Sequence, residues 1–271
     1  MTLWIRAALT AMVMSFSAGT PLMAQVINAP PSPEALKELA PSGRLRAAIN
    51  LGNAVLAQGT PEEPRGITVD LSRELARRLG VPLDLVPFDA AGKVFDALKA
   101  GAWDVAFIAI EPARAAEIEF SPPYVLIEGS YMVRNVSPLK VIGDVDKAGI
   151  RISVGRGSAY DLFLTRTLKA AELVRSPSGG CCSMVEMFLA DKLDVVAGVR
   201  QQLEPFAVAG SGLRVMDGRF QVIRQAMAVP KGRLAAAAYV RGFVEDVKAS
   251  GFVKAGLDRS GQTAAAVAPK E

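Results

Sequence analysis

The chain repeats itself. An apolar helix tail, a turn and an Asp-Val step into a buried strand occur twice, about ninety residues apart. Val94, Phe95 and Leu98 lead to Gly101, Asp104 and Val105, and Met184, Val185 and Phe188 lead to Asp191, Asp194 and Val195. Upstream of each copy stands a basic-flanked apolar strand ending in a glycine loop, LRAAINLG over 45–52 and IRISVGRG over 150–157, each followed by a helical stretch. Two β-loop-α-β-α-β halves in one chain predict two similar α/β lobes with a small-ligand cleft between them.

Periodicity fills in the elements. Leu71, Leu75 and Leu79 recur every fourth residue with Arg73, Arg77 and Arg78 between them, so 66–80 (GITVDLSRELARRLG) is an amphipathic helix stopped by Gly80. Val81 to Phe88 is the second strand and residues 92 to 100 the next helix. Val105 to Ile110 is apolar throughout, as in a parallel strand covered on both faces. In the second half, 152–154 is a strand, and Ser158 with Asp161 caps a helix running to about Leu168. Strands at 171–174 and 195–199 flank a helix at 182–190. Tyr131 to Arg134 crosses between the halves, Ala226 to Val229 returns, and a last helix over 234–247 packs on the first lobe. Two crossings make a hinge.

Residues 1–24 hold one charge, Arg6, an apolar run from about Ala7 to Phe16, and a Leu22-Met23-Ala24 ending. That run is too short to span a bilayer, and the pattern predicts a secretory signal peptide cleaved after Ala24, hence a soluble periplasmic protein. Residues 25–41 read as a Pro-rich tether and 260–271 as a disordered Ala-rich tail. Lobe 1 is expected over 42–133 plus 229–259, and lobe 2 over 134–228.

Net charge is +4, or +3 once Arg6 is removed. That small excess suits anionic small molecules, and without basic blocks interleaved with aromatics nucleic acid is not an expected partner. Histidine is absent from the chain. Ser-His and Cys-His nucleophile pairs, histidine metal sites and the usual general base are therefore excluded, and no cofactor, metal or catalytic residue is expected. Cys181 and Cys182 are adjacent. A disulfide between neighbours is strained, so free, structural thiols are expected.

The 66–80 helix, LKAGAWDVAF, IEPAR with EFSPPY, RISVGRGSAYD and AMAVPKG, taken in order, resemble extracytoplasmic solute-binding proteins of family 3, the amino-acid-binding class that feeds ABC importers. The resemblance covers nearly all of residues 43 to 258. It implies a two-lobed, type II periplasmic-binding-protein fold, in which two crossing strands form the hinge. It also implies a monomer that passes a small-molecule solute to membrane permease subunits.

On that likeness Arg114 holds the ligand carboxylate, which suits the planar fork of a guanidinium. Gly157 and Ser158, in the loop opening the second-lobe helix, offer further donors. Three departures stand out. Glu111 replaces the usual Thr in a turn about two residues shorter than the common form. Asn53 opens a 53–58 segment in place of an aromatic one. The acid that receives an amino acid's ammonium, after the second Asp-Val strand, is missing, and Arg200 and Gln201 stand there instead. The expected ligand is therefore a small carboxylate-bearing solute, an amino acid, a derivative or an organic acid, with organic acids, or derivatives whose amine is absent, acylated or held by Glu111 or Glu128, expected to bind better than the free standard amino acids. Two rivals stay open. One is an enzyme resembling cyclohexadienyl dehydratases, with Glu111 or Glu128 as the acid. The other is a periplasmic accessory that binds a protein partner or a cofactor-containing dehydrogenase.

Overall fold

Residues 30–271 are described in a computed structural model; the expected signal peptide and its cleavage site lie outside the described residues. The first half runs α1 (Pro33–Leu39), β1 (Leu45–Asn50), a small ribbon of β2 (Gln58–Gly59) and β3 (Pro64–Arg65), α2 (Ile67–Leu79), β4 (Leu83–Phe88), α3 (Ala91–Asp96), β5 (Val105–Ala109) and α4 (Pro112–Ala115). A long strand, β6 (Ile118–Arg134), leads to the second half: β7 (Arg151–Gly155), α5 (Ala159–Thr167), β8 (Glu172–Ser176), α6 (Cys181–Ala190), β9 (Val195–Val199), α7 (Arg200–Leu203) and β10 (Leu213–Val215). The chain returns on β11 (Gln221–Pro230) and ends with α8 (Leu234–Ala249), α9 (Phe252–Arg259) and β12 (Ala266–Val267).

The repeat is a repeat of structure. β1 lies parallel between β4 and β5, and β7 lies parallel between β8 and β9. In both copies the aspartate of the Asp-Val step clips the strand beside it. Asp104 accepts the Arg46 backbone N–H at 3.2 Å, and Asp194 accepts that of Arg151 at 2.8 Å. The aspartates' own N–H groups return the bond to the carbonyls of Arg46 and Arg151. Asp104 is fully buried and also pairs with the Arg46 and Arg233 guanidiniums, which supply the charge a buried carboxylate needs.

The crossing segments are longer than their sequence signals. β6 pairs antiparallel with β11 along residues 118–129 and with β9 along 129–132, so it knits both parallel trios into one mixed sheet. β11 in turn lies antiparallel to β5. On the first trio, α2 buries Ile67, Leu71, Leu75 and Leu79 and stops at Gly80, whose left-handed backbone (φ 68°) returns its N–H to the last turn.

Both ends depart from expectation. The Pro-rich stretch contains α1, because Pro33 sits in the first turn where its missing N–H costs nothing and the Ser32 hydroxyl accepts the Ala35 N–H. Ala35 and Leu39 are buried, and the Glu38 carboxylate accepts the Ala236 N–H at the start of α8. The Ala-rich tail is ordered as well. β12 pairs with β6 at Leu126 and Val125, Ala265 and Ala268 are buried, and Glu271 pairs with Arg224. Small side chains that read as low complexity are here what lets the tail lie flush on a strand.

Candidate functional site

The ends of β1 and β5 face the α5 and α6 N-termini across a cleft. The first half contributes Asn50, Gly52 and Asn53 after β1, Ala91, Ile108 and Ala109, and Arg114 from α4. The second half contributes Ser158, Ala159, Tyr160, Gly179, Val199 and Gln202, while Ile223 and Gln225 come from β11. The space between them is narrow, with the two walls close together, and opens to solvent on one side.

The halves are in contact around it. The Gly157 Cα lies so close to Gly92 that a Cβ on Gly157 would stand 2.8 Å from the Gly92 Cα, and Gly157 itself has φ 69°. At Gly179 a Cβ would meet the Ala90 Cβ at 2.5 Å. Gln202 donates through Nε2 to the Gly52 carbonyl at 3.3 Å, again from half to half. A Gly157→Ala substitution therefore meets both a left-handed backbone and a blocked closure. It is expected to weaken ligand affinity at least tenfold while costing only about 1–2 kcal/mol of stability. Calorimetry and denaturant melts on the same variant separate the two effects.

Arg114 is the only charged side chain lining the cavity among the described residues, and it is almost entirely buried. Nη1 donates to the Ala109 carbonyl at 2.9 Å, and Nη2 reaches across to the Gly157 carbonyl at 2.7 Å. Burial pulls this guanidinium down to about 10, opposed by the nearby Glu111 charge, so it remains protonated at neutral pH. Glu111 itself is buried but committed elsewhere: Arg166 of α5 reaches it at 2.5 Å and Gln221 donates to its other oxygen at 2.9 Å. The cleft thus holds a desolvated cation whose hydrogen-bonded partners are neutral carbonyls.

The other sequence candidates divide. Asn53 and Ser158 line the cavity, each fixed by a local bond: Asn53 Oδ1 accepts the Val55 N–H at 3.2 Å, and Ser158 Oγ caps α5 by accepting the Asp161 N–H at 3.0 Å. Gly157 does not line the cavity: its carbonyl accepts from Arg114, and its N–H is given to Asp161 Oδ2 at 2.8 Å instead of being held out for an anion. Glu111 does not line the cavity. Neither do Arg200 and Gln201. Arg200 turns to the opposite side of α7, pairing with Glu128 at 3.3 Å and donating to Ser130 and the Met216 carbonyl, while Gln201 points to the Ala264 carbonyl at 3.5 Å. The residue of that turn that enters the cleft is Gln202. Gln225 of β11 enters the cleft as well, and nothing in the run QVIRQAMAVP sets it apart from Gln221 or Arg224 until the strand is packed.

Cys181 is buried beside this wall, donating to the Gln202 carbonyl at 3.3 Å, and Cys182 is exposed. Burial, reinforced by Cys182, pushes the Cys181 thiol up to about 12, which keeps it protonated and unreactive. A maleimide reagent at pH 7 is expected to label one thiol quickly in the folded protein and both after denaturation. Fast double labelling of the native state would overturn that assignment.

The sequence matches the family of bacterial extracellular solute-binding proteins, family 3, over residues 54–260, and the chain belongs to that family. No curated protein matches it. Its fold is the two-lobed type II periplasmic-binding fold of solved structures. One is an amino acid ABC transporter substrate-binding protein from Streptococcus pneumoniae bound to L-arginine, with 20% identity, a TM-score of 0.69, and 86% of this chain and 99% of that one covered. A mutant of ArgBP from T. maritima gives 21%, 0.70, 83% and 98%. The ancestral amino-acid-binding protein AncCDT-1, a precursor of cyclohexadienyl dehydratase, gives 20%, 0.69, 83% and 98%. Among the described residues no helix is long and apolar enough to cross a membrane.

Proposed function

We propose that this solute-binding protein captures a small carboxylate-bearing solute by closing its two lobes on it, and delivers it as a monomer to the permease subunits of an ABC importer. The lobes divide where β6 and β11 run from one to the other: β6 takes up β9 from Gly129 onward and β11 takes up β5 from Gln225 onward, a few residues before the 133 and 229 expected from the chain, and these crossings bend as the hinge. The observation that carries the reading is Arg114: a buried cation with only carbonyl partners, lining a cavity between the halves, is what an incoming carboxylate would neutralise. The importer partnership draws support from the Streptococcus relative, which is an ABC transporter component. A periplasmic location, with a signal peptide removed after Ala24, agrees with the extracellular family.

Native mass spectrometry of protein purified without refolding tests this. A single small adduct, lost in Arg114→Ala, is the expected result. An adduct that persists in that variant, or stabilisation by no small carboxylate at all, would overturn it. Among the described residues no acid lines the cavity to serve the dehydratase reading: Glu111 and Glu128 are both paired outside it. No turnover of prephenate is expected.

A further inference from the structure

Resting on that reading of Arg114, we infer that the solute is a monoanion rich in hydrogen-bond acceptors and without a free ammonium group. Two independent features lead there, the charge balance of the cleft and the direction of its hydrogen-bonding groups.

Arg114 gives the cavity wall one positive charge. No acid lines the cavity among the described residues, and the carboxylates of Glu111, Glu128 and Asp161 are committed elsewhere. Glu111 is held by Arg166 and Gln221, and Glu128 by Arg219 and Arg200. Asp161 is held by the Gly157 N–H, Arg175 and Thr165. A zwitterionic amino acid would satisfy Arg114 with its carboxylate and then leave its ammonium in a closed, partly desolvated site without a counter-charge, which is strongly unfavourable. One negative charge on the ligand balances the wall; a second would be left over.

The amides narrow this further. Asn50 Oδ1 accepts the Gly52 N–H at 3.0 Å and Asn53 Oδ1 accepts the Val55 N–H, which fixes both amides and leaves their NH2 groups for the cavity. Ser158 is occupied, its oxygen accepting the Asp161 N–H and its hydroxyl lying against the Tyr160 oxygen. With Arg114 the two amides are donors on the first-half wall, while Gln202, whose Nε2 is given to the Gly52 carbonyl, offers from the second half an uncharged oxygen that supplies no counter-charge to an ammonium. An ammonium is a donor only, whereas a keto, hydroxyl or N-acyl oxygen beside the carboxylate accepts from the two amides. The solute class is therefore 2-oxo, 2-hydroxy or N-acyl monocarboxylates.

Matched pairs test the inference on the wild-type protein, freed of bound material by dialysis. Each pair is an α-amino acid and its 2-oxo, 2-hydroxy or N-acetyl counterpart with the same side chain, titrated by calorimetry at pH 7, with dicarboxylates as a third set. At least one counterpart is expected to bind tenfold or more tighter than its amino acid and than the dicarboxylates. An amino acid that binds as well as its best counterpart, a preference for dicarboxylates, or binding by no member of any set would overturn the inference. Repeating the tightest titration with Arg114→Ala and Arg114→Gln separates the two claims. If amino acids win and the variants lose them, Arg114 remains the carboxylate anchor and only the solute class is wrong. If binding survives both variants, the anchor itself is wrong.

Discussion

Replacing Arg114 with Ala is expected to cost about 2–5 kcal/mol of solute binding, the range for removing one partner of a buried, hydrogen-bonded charge pair. That is roughly thirtyfold to several thousandfold in Kd. The size follows from the surroundings: Arg114 is almost fully buried, its partners are the Ala109 and Gly157 carbonyls, and the nearest acid is held by Arg166. No other cation lines the cavity to take its place among the described residues. Arg114→Lys is expected to recover only part of the loss, because an ammonium does not present two parallel donors to a carboxylate. Calorimetry with the tightest-binding solute measures both, and a change under threefold in the Ala variant would remove Arg114 from the site.

The second large effect is expected at Glu111 and Arg166, which join the two halves outside the cavity. Arg166→Ala leaves Glu111, only 1% exposed, with Gln221 as its remaining partner. An unpaired carboxylate so deeply buried is expected to cost about 1–3 kcal/mol of folding stability. This is less than for a fully buried pair, because the Arg166 side chain is 41% exposed and water screens it. Adding Glu111→Gln should return most of that loss, since the neutral amide keeps the shape and removes the stranded charge. Urea melts of the two single variants and the double variant give the coupling. Because the pair spans the cleft, small-angle scattering of the ligand-free Arg166→Ala protein should also show a larger radius of gyration. A single-variant loss below about 0.5 kcal/mol would mean the bridge behaves as an ordinary surface pair.

Much of this molecule is legible in its residues, and the parts that are not share a cause. The duplicated strands and the α2 stripe follow from periodicity, since burial of one face leaves a pattern in the chain. Arg114, Asn53 and Ser158 could be placed because each follows a strand end or opens a helix that the pattern locates. Arg200, Gln201 and Gln202 show the limit. They are consecutive on one short helical turn, so each points about 100° from the last, and only the packed structure decides which one enters the cleft. The two ends follow the same rule. Proline and alanine runs resemble unstructured chain by composition, yet Pro33 starts a helix and the tail alanines fit closely against β6. What orders them is a partner surface supplied by residues far away in sequence.

The place of β11 has a consequence for how the protein is made. β5, apolar along its whole length, has β1 on one edge and waits for β11 on the other. During synthesis that second edge stays open until the whole second half has emerged, because β11 follows β9 and β10 in the chain. Such late, long-range pairing makes folding slow and leaves a sticky strand edge exposed meanwhile. In that interval the open β5 edge must find its own β11 before it finds a neighbour's.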